Sequence, residues 1–308
     1  GTQSPSPWMS IDTQPAVLGP FLCGMLQRNR SVLEIARERD LDRRLLGNVH
    51  KEIDLIDEEL QSASIVQKEF LTRTMPSLGE VSVSAMWRPS SYVSGDFYQA
   101  VALDDRRLGV LLLDAAGHGV ASALMTVVMA RAFVPVPDGE VADPDAVLDR
   151  INRALLQLPE GRTRFATGTY VVVDCRDGSL RYASAGHPPP LILDGERLVP
   201  LEVGEGGPAL GIFEDPGYRV MDARLDAGQR LLVHSDGFEQ AFPTADASED
   251  DLHHQNSNYL EVFRSLGRIG NGPDLIRRLE EIVDRGRGSL RPRDDLSLLC
   301  VSRGDVAA

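Results

Sequence analysis

The sequence predicts an α+β fold in which one sheet packs on another with helices outside, preceded by a helical segment. Three observations carry this. Short apolar or alternating runs bounded by Gly, Pro and Asp recur from Val81 to Val301. Helical patterns fall between groups of these runs rather than after each one. From about Ser31 to Arg73 there is no proline, and the only glycine is Gly47.

At 308 residues, with 42% hydrophobic and 25% charged content, the chain is long enough for one large domain or two smaller ones. A formal charge of −14 argues against nucleic acid or an anionic membrane as partner, since both select clustered Lys and Arg. The three cysteines are far apart, without the spacing of a disulfide framework or zinc knuckle, so a reducing cytoplasm is the expected setting. No run of about 18 apolar residues suggests a membrane span. Pro15–Leu26 lacks the basic lead of a signal peptide. The first residue is Gly rather than Met, as expected of a piece of a longer chain.

Residues 1–27, with Pro5, Pro7, Pro15 and Pro20, read as an irregular lead-in. In the helical segment 28–76, Leu46, Val49, Ile53, Ile56, Leu60, Ala63, Gln67 and Phe70 follow at alternating steps of three and four. This is a heptad seam broken only by Gln67, and it suits a coiled-coil homodimer better than a broad core. A globular domain is expected over 77–304. Val81, Val83, Ala85 and Trp87 alternate as one face of a strand; Phe97–Leu103 and Leu108–Leu113 follow across a turn. Gly119 to about Val134 is apolar on nearly every side and reads as a deeply buried helix. Pro144–Leu158 is a second helix, with Asp143 as its cap. Hairpins are expected across Arg176-Asp177-Gly178 and Asp194-Gly195-Glu196, and strands near Tyr218–Leu225 and Arg230–His234. Pro243–Ser257 is polar and reads as a surface insertion; Tyr259–Leu266 and Pro273–Arg285 are helical, and Leu296–Val301 closes the domain.

Four segments share one design: Ser94-Gly95-Asp96, Asp114-Ala115-Ala116-Gly117, Ser235-Asp236-Gly237 and Arg293-Asp294-Asp295. Each sets aspartate at the margin of an apolar strand. The two glycines around His118 mark a turn wrapped closely on a ligand. Four converging carboxylates would repel one another unless cations met them. All-oxygen ligation selects a hard ion, Mg²⁺ or Mn²⁺, over zinc. Two such ions about 3.5–4 Å apart can share a water, lower its pKa and clamp a phosphoryl group, which implies phosphate-ester hydrolysis.

SYVSGDFY, LLLDAAGHGVASALM, YASAGHPPPLIL, LLVHSDGFEQAF and RPRDDLSLL, in that order over about Ser82 to Val301, resemble the motifs of the SpoIIE/RsbU-type branch of the metal-dependent protein phosphatases. The resemblance implies the protein phosphatase 2C-like αββα sandwich and a binuclear Mn²⁺/Mg²⁺ centre. By the same likeness Asp114 bridges both ions, the Ala115 carbonyl ligates one, Asp236 and Asp294 complete one site, and Asp96 serves the other directly or through water. Asp295 falls outside the ligand set. The implied reaction is attack of a metal-bound hydroxide on phosphoserine or phosphothreonine, and the implied substrate a phosphorylated anti-anti-sigma (STAS) protein. This chain departs from the usual motifs in having Ser94 for Gly, His234-Ser235 for Tyr-Thr, and Gln240 for Glu. Its rivals are a non-catalytic scaffold of the same fold binding a STAS partner, and a coiled-coil adaptor. Around the site, His118 is expected to hold its turn by hydrogen bonding, with proton donation to the leaving serine as the alternative, and His187 to fix a loop rather than bind metal; Arg88 is either a phosphate-steering residue or an ordinary surface arginine. His253 and His254 are expected in solvent, and Ser235 lacks the setting of a nucleophile.

Overall fold

The computed structural model describes residues 15–117, 119–159, 165–204, 207–242, 257–287 and 294–304. Two compact units divide the chain, residues 1–59 and 60–308. What is described of the first is helical. Helix α1 is Pro15–Lys68, so residues 15–27 are helix rather than irregular lead-in. Pro15 stands at the first helical position, where a missing N–H costs nothing, whereas Pro20 lies inside the helix and forfeits one intrahelical hydrogen bond. Leu46, Val49, Ile53 and Ile56 are exposed, whereas Gln67, in the second unit, is buried.

The second unit is a sandwich of two antiparallel sheets. One runs in the order β1 (Ser77–Leu78), β2 (Val81–Arg88), β11 (Leu296–Arg303), β10 (Arg230–His234), β7 (Leu191–Asp194), β8 (Arg197–Pro200). The other runs β3 (Asp96–Ala102), β4 (Arg107–Ala115), β5 (Ala166–Asp174), β6 (Ser179–Ala185), β9 (Met221–Arg224). Strand β4 lies between β3 and β5 and is buried on both faces, which is why its sequence is a continuous apolar run instead of an alternating one. Leu111, Leu112 and Leu113 have no solvent exposure, and removal from water is worth roughly 2 kcal/mol for each such side chain.

Helices α2 (Val120–Ala132) and α3 (Pro144–Leu156) cover the β4/β5/β6 face, and α5 (Asn258–Ser265) and α6 (Gly272–Arg287) cover the other sheet. Short α4 (Gly237–Ala241) follows β10. Two expectations need correction. Asp143 makes no capping hydrogen bond to α3; its carboxylate pairs with Arg181 of β6, a long-range partner that local sequence does not announce. Helix α2 is not buried all round: Met125 and Met129 enter the core, but Val120 and Leu124 are 50% and 63% exposed.

The segment Val120–Gly139 is long and apolar enough by composition to cross a membrane, contrary to the expectation that no stretch is. Its helix is only the 13 residues of α2, about 20 Å against a hydrocarbon core of about 30 Å, and it packs on β4. Cys175 and Cys300 are buried thiols, and Cys23 is exposed; none is in a disulfide.

Candidate active site

Antiparallel pairing sets the start of one strand beside the end of the next, and this gathers the aspartates. Asp96 opens β3 and is paired in register with Asp114 near the end of β4. On the facing sheet, His234 at the end of β10 is paired with Leu298 of β11, so Asp236 and Asp294 flank the same margin. Ser235 N–H donates to the Ser297 carbonyl at 2.9 Å and continues that pairing. β11 faces β3 and β4 across the sandwich, which closes the two margins on each other.

The carboxylates differ in setting. Asp96 is buried and neither of its oxygens has a hydrogen-bond partner. Burial, then the charges of Asp295 and Asp236, hold its carboxyl well above the usual range. The Ser297 and Ser235 hydroxyls lie near enough to oppose that shift, yet neither makes a well-formed hydrogen bond to it. The Asp114 carboxyl is also raised, first by desolvation and then by Asp96, Asp236 and Asp294. Asp236 is exposed and Asp294 partly so, leaving the site open on that side.

The turn after Asp114 is built for close approach. Gly117 and Gly119 have φ of 88° and 86°, which non-glycine residues rarely adopt. Ala115 N–H donates to the Gly95 carbonyl at 3.0 Å, and a Cβ on Gly95 would lie 2.9 Å from the Ala115 carbonyl oxygen. Gly95 therefore lets the Asp96 loop lie directly on the backbone whose carbonyl the sequence singled out. His118 lies outside the described residues, as do His253 and His254.

A surrounding shell fixes these loops. Asp295 accepts hydrogen bonds from Ser90 N–H at 2.6 Å and Gly95 N–H at 2.7 Å, so both of its oxygens are engaged in holding the Asp96 loop. Asp294 accepts from Gln240 Nε2 at 3.3 Å, and Trp87 Nε1–H donates to the Asp96 carbonyl at 3.2 Å. Ser235 is buried, donating to the Asp295 carbonyl and accepting from Ser297 N–H. His187 is buried, its Nδ1 2.8 Å from the hydroxyl of Thr167, the residue paired with Asp114. Arg88 is turned to α6, where it pairs with Asp284. Sequence reasoning missed Gln67. Its polarity inside an apolar seam was the available signal, and its side chain grips Ser94.

Among the described residues no three His, Cys, Asp or Glu side chains are already drawn in around one point as finished metal ligands. The residues nonetheless fit a pair of hard cations. A buried carboxylate without any protein donor is strongly disfavoured unless protonated or met by positive charge, and the donor set is oxygen throughout.

The Stage II sporulation protein E (SpoIIE) family model matches residues 104–304, which include Asp114, Asp236 and Asp294. The phosphoserine phosphatase RsbP of Bacillus subtilis (strain 168) is 31% identical over 198 residues, 63% of this chain and 48% of its own length. The phosphoserine phosphatase RsbU of the same organism is 28% identical over 182 residues, 59% of this chain and 53% of its own. The chain thus spans about half the length of these curated relatives. Among solved structures, the SiaA-PP2C domain of Pseudomonas aeruginosa superposes with a TM-score of 0.68 at 26% identity, over 82% of this chain and 98% of that one. The RsbU and RsbW domains of Rv1364c from Mycobacterium tuberculosis share the fold, with a TM-score of 0.61 at 24% identity, over 76% and 64% of the two chains. With its protein phosphatase 2C-like sandwich and the family match over most of that domain, this chain belongs to the SpoIIE family.

Proposed function

We propose that the chain is a metal-dependent protein serine/threonine phosphatase. The observation that carries this reading is Asp96, buried without a protein partner, in register with Asp114 and within electrostatic reach of Asp236. Asp114 lies within electrostatic reach of Asp96, Asp236 and Asp294, so its carboxylate would contribute to the same centre. In this reading Asp96, Asp114, Asp236, Asp294 and the Ala115 carbonyl hold two Mn²⁺ or Mg²⁺ ions. When bound, such ions supply a water of lowered pKa and neutralise the phosphoryl oxygens. The residues' own part is to fix that pair at the open end of the sandwich. Asp295 keeps the Asp96 loop in place, and the glycine turn leaves room for the phosphorylated side chain.

The substrate class is a phosphoserine or phosphothreonine protein, supported by similarity to the phosphoserine phosphatases RsbP and RsbU, and within that class the motif resemblance favours a phosphorylated STAS regulator. A homodimer through the exposed seam of α1 is part of the same proposal. The test is hydrolysis of p-nitrophenyl phosphate and a phosphoserine peptide with added Mn²⁺. Activity should vanish with chelator and in Asp114→Asn. Full activity in Asp114→Asn would discard the mechanism. Calorimetric titration with Mn²⁺ separates an enzyme from a scaffold of the same fold, which would bind no metal through these aspartates.

A further inference from the structure

The outer surface of α2 and α3 carries a groove that the catalytic reading leaves unused. Val120, Leu124 and Val128 recur every four residues along α2 and form one stripe on the helix. The stripe begins immediately after the glycine turn that follows Asp114. Val120 and Leu124 are 50% and 63% exposed, and leaving them in water forgoes about half or more of what burial would contribute. Beyond Leu124 the stripe enters an open depression of about 620 Å³ between α2 and α3. Ala154 and Leu158 line it together with Arg131, Arg150 and Arg153.

In a chain of net charge −14, three arginines in one groove are a local inversion of sign. Asp149 pairs with Arg153 and offsets part of it, and Arg150 donates to the Val134 carbonyl at 3.1 Å. Arg131 is exposed and makes no ion pair among the described residues. From Val120 to Arg131 the helix rises roughly 16 Å, a span that about eleven residues of a docked helix cover.

We infer that this groove is the docking surface for the phosphoprotein substrate, receiving an acidic amphipathic segment whose apolar side meets Leu124 and Val128 and whose carboxylates meet Arg131 and Arg153. The inference rests on the phosphatase reading. Two features of the groove favour that occupant over others: its apolar stripe is continuous with the catalytic turn, and its cationic end complements an acidic partner.

The experiment uses the full chain and three probes. These are p-nitrophenyl phosphate, a phosphoserine peptide extended by a Leu/Glu amphipathic helix, and the same peptide with each Glu replaced by Lys. The acidic peptide should be hydrolysed with a kcat/KM at least tenfold higher than the basic one, the difference lying in KM and shrinking with added salt. Arg131→Glu with Arg153→Glu should reverse the preference, and Leu124→Asp should raise KM for the acidic peptide, while aryl phosphate turnover stays within about twofold in each variant. Fluorescence anisotropy of the labelled peptides, without added metal, should give the same order of affinities. Equal KM and equal affinity for the two peptides would overturn the groove even if the aryl phosphate is hydrolysed. No aryl phosphate turnover with charge-dependent peptide binding would sink the phosphatase reading and leave a docking site. Loss of a dimer in Leu124→Asp would assign the groove to a second copy and overturn the proposal.

Discussion

Gln67 and Ser94 are joined by two hydrogen bonds: Gln67 Nε2 donates to the Ser94 carbonyl at 2.6 Å, and Ser94 N–H donates to Gln67 Oε1 at 3.0 Å. Nε2 also donates to the Thr126 hydroxyl of α2 at 3.1 Å. One side chain near the end of α1 thus completes the backbone pairing of the loop that presents Asp96 and ties it to the helix that follows Asp114. Ser94 has no solvent exposure, so water cannot take over without a local opening.

Gln67→Ala should therefore lower the unfolding free energy by about 2–6 kcal/mol, because two buried backbone groups lose their partners at about 1–3 kcal/mol each. Denaturant unfolding measures the loss, and amide exchange locates it, with the Ser94 N–H exchanging much faster than in the parent. A variant with unchanged stability and a still-protected Ser94 amide would show that the clamp carries no weight.

Asp96 has the opposite sign. Its carboxyl is raised by burial and by like charges, so its own contribution to the stability of the metal-free protein is whole below the ordinary aspartate pKa and is lost as pH rises through the raised one. At pH 8 with chelator present, Asp96→Asn should be more stable than the parent by about 1–3 kcal/mol, since an uncompensated buried charge is gone. The same substitution should weaken Mn²⁺ binding by at least tenfold. Mn²⁺ binding to the parent should release protons, read as a buffer-dependent heat in calorimetry. A destabilised Asp96→Asn at pH 8 without metal would contradict the burial argument.

Much of this site was legible in the sequence, because a strand that ends in aspartate announces both its own burial and the cost of its terminal carboxylate. Leu108–Leu113 followed by Asp114 did so, and the glycines beyond it have the positive φ that their position required. The assignments that failed depend on contacts between distant segments. Gln67 read as a flaw in a seam because its partners are 27 and 59 residues away. Asp143 read as a helix cap because nothing near it revealed Arg181. The exposure of Leu124 is invisible to a pattern that counts apolar residues without knowing which side has a neighbour.

His187 and His234 predict the acid limb of stability. Both are fully enclosed, and burial lowers their pKa to about 3 and about 4. The charge of His234 lowers His187 further, and a hydrogen bond to the His234 backbone opposes the shift. A depressed histidine pKa leaves the unfolded chain binding more protons, so stability is whole above about pH 6.5 and is lost as pH falls toward the folded value. At pH 5 the loss is about 2 kcal/mol per histidine, at about 1.4 kcal/mol for each pH unit below 6.5. His187→Asn, which can keep a hydrogen bond to Thr167, should flatten that decline by one proton's worth between pH 6.5 and pH 4. Equal pH dependence in parent and variant would mean that His187 is protonated in the folded protein.

The seam of α1 is the remaining structural expectation. Leu46, Val49, Ile53 and Ile56 are each 50–58% exposed, so burying their open halves against a second copy contributes on the order of 1 kcal/mol per side chain. Eight such side chains in a pair of helices give about 8 kcal/mol, against an association cost of at least 4 kcal/mol. The dimer should be correspondingly weak and concentration-dependent. Because Gln67 and the buried Leu71 belong to the second unit, the informative truncation removes residues 1–59 and leaves both in place. Light scattering up to about 1 mM should show partial self-association of the full chain, and a monomer after that truncation or in Ile53→Glu with Ile56→Glu. Aryl phosphate hydrolysis in the truncated protein should then report the sandwich alone. A full chain that stays monomeric up to about 1 mM, where the association free energy is only about 4 kcal/mol, would leave the exposed seam without a self-partner.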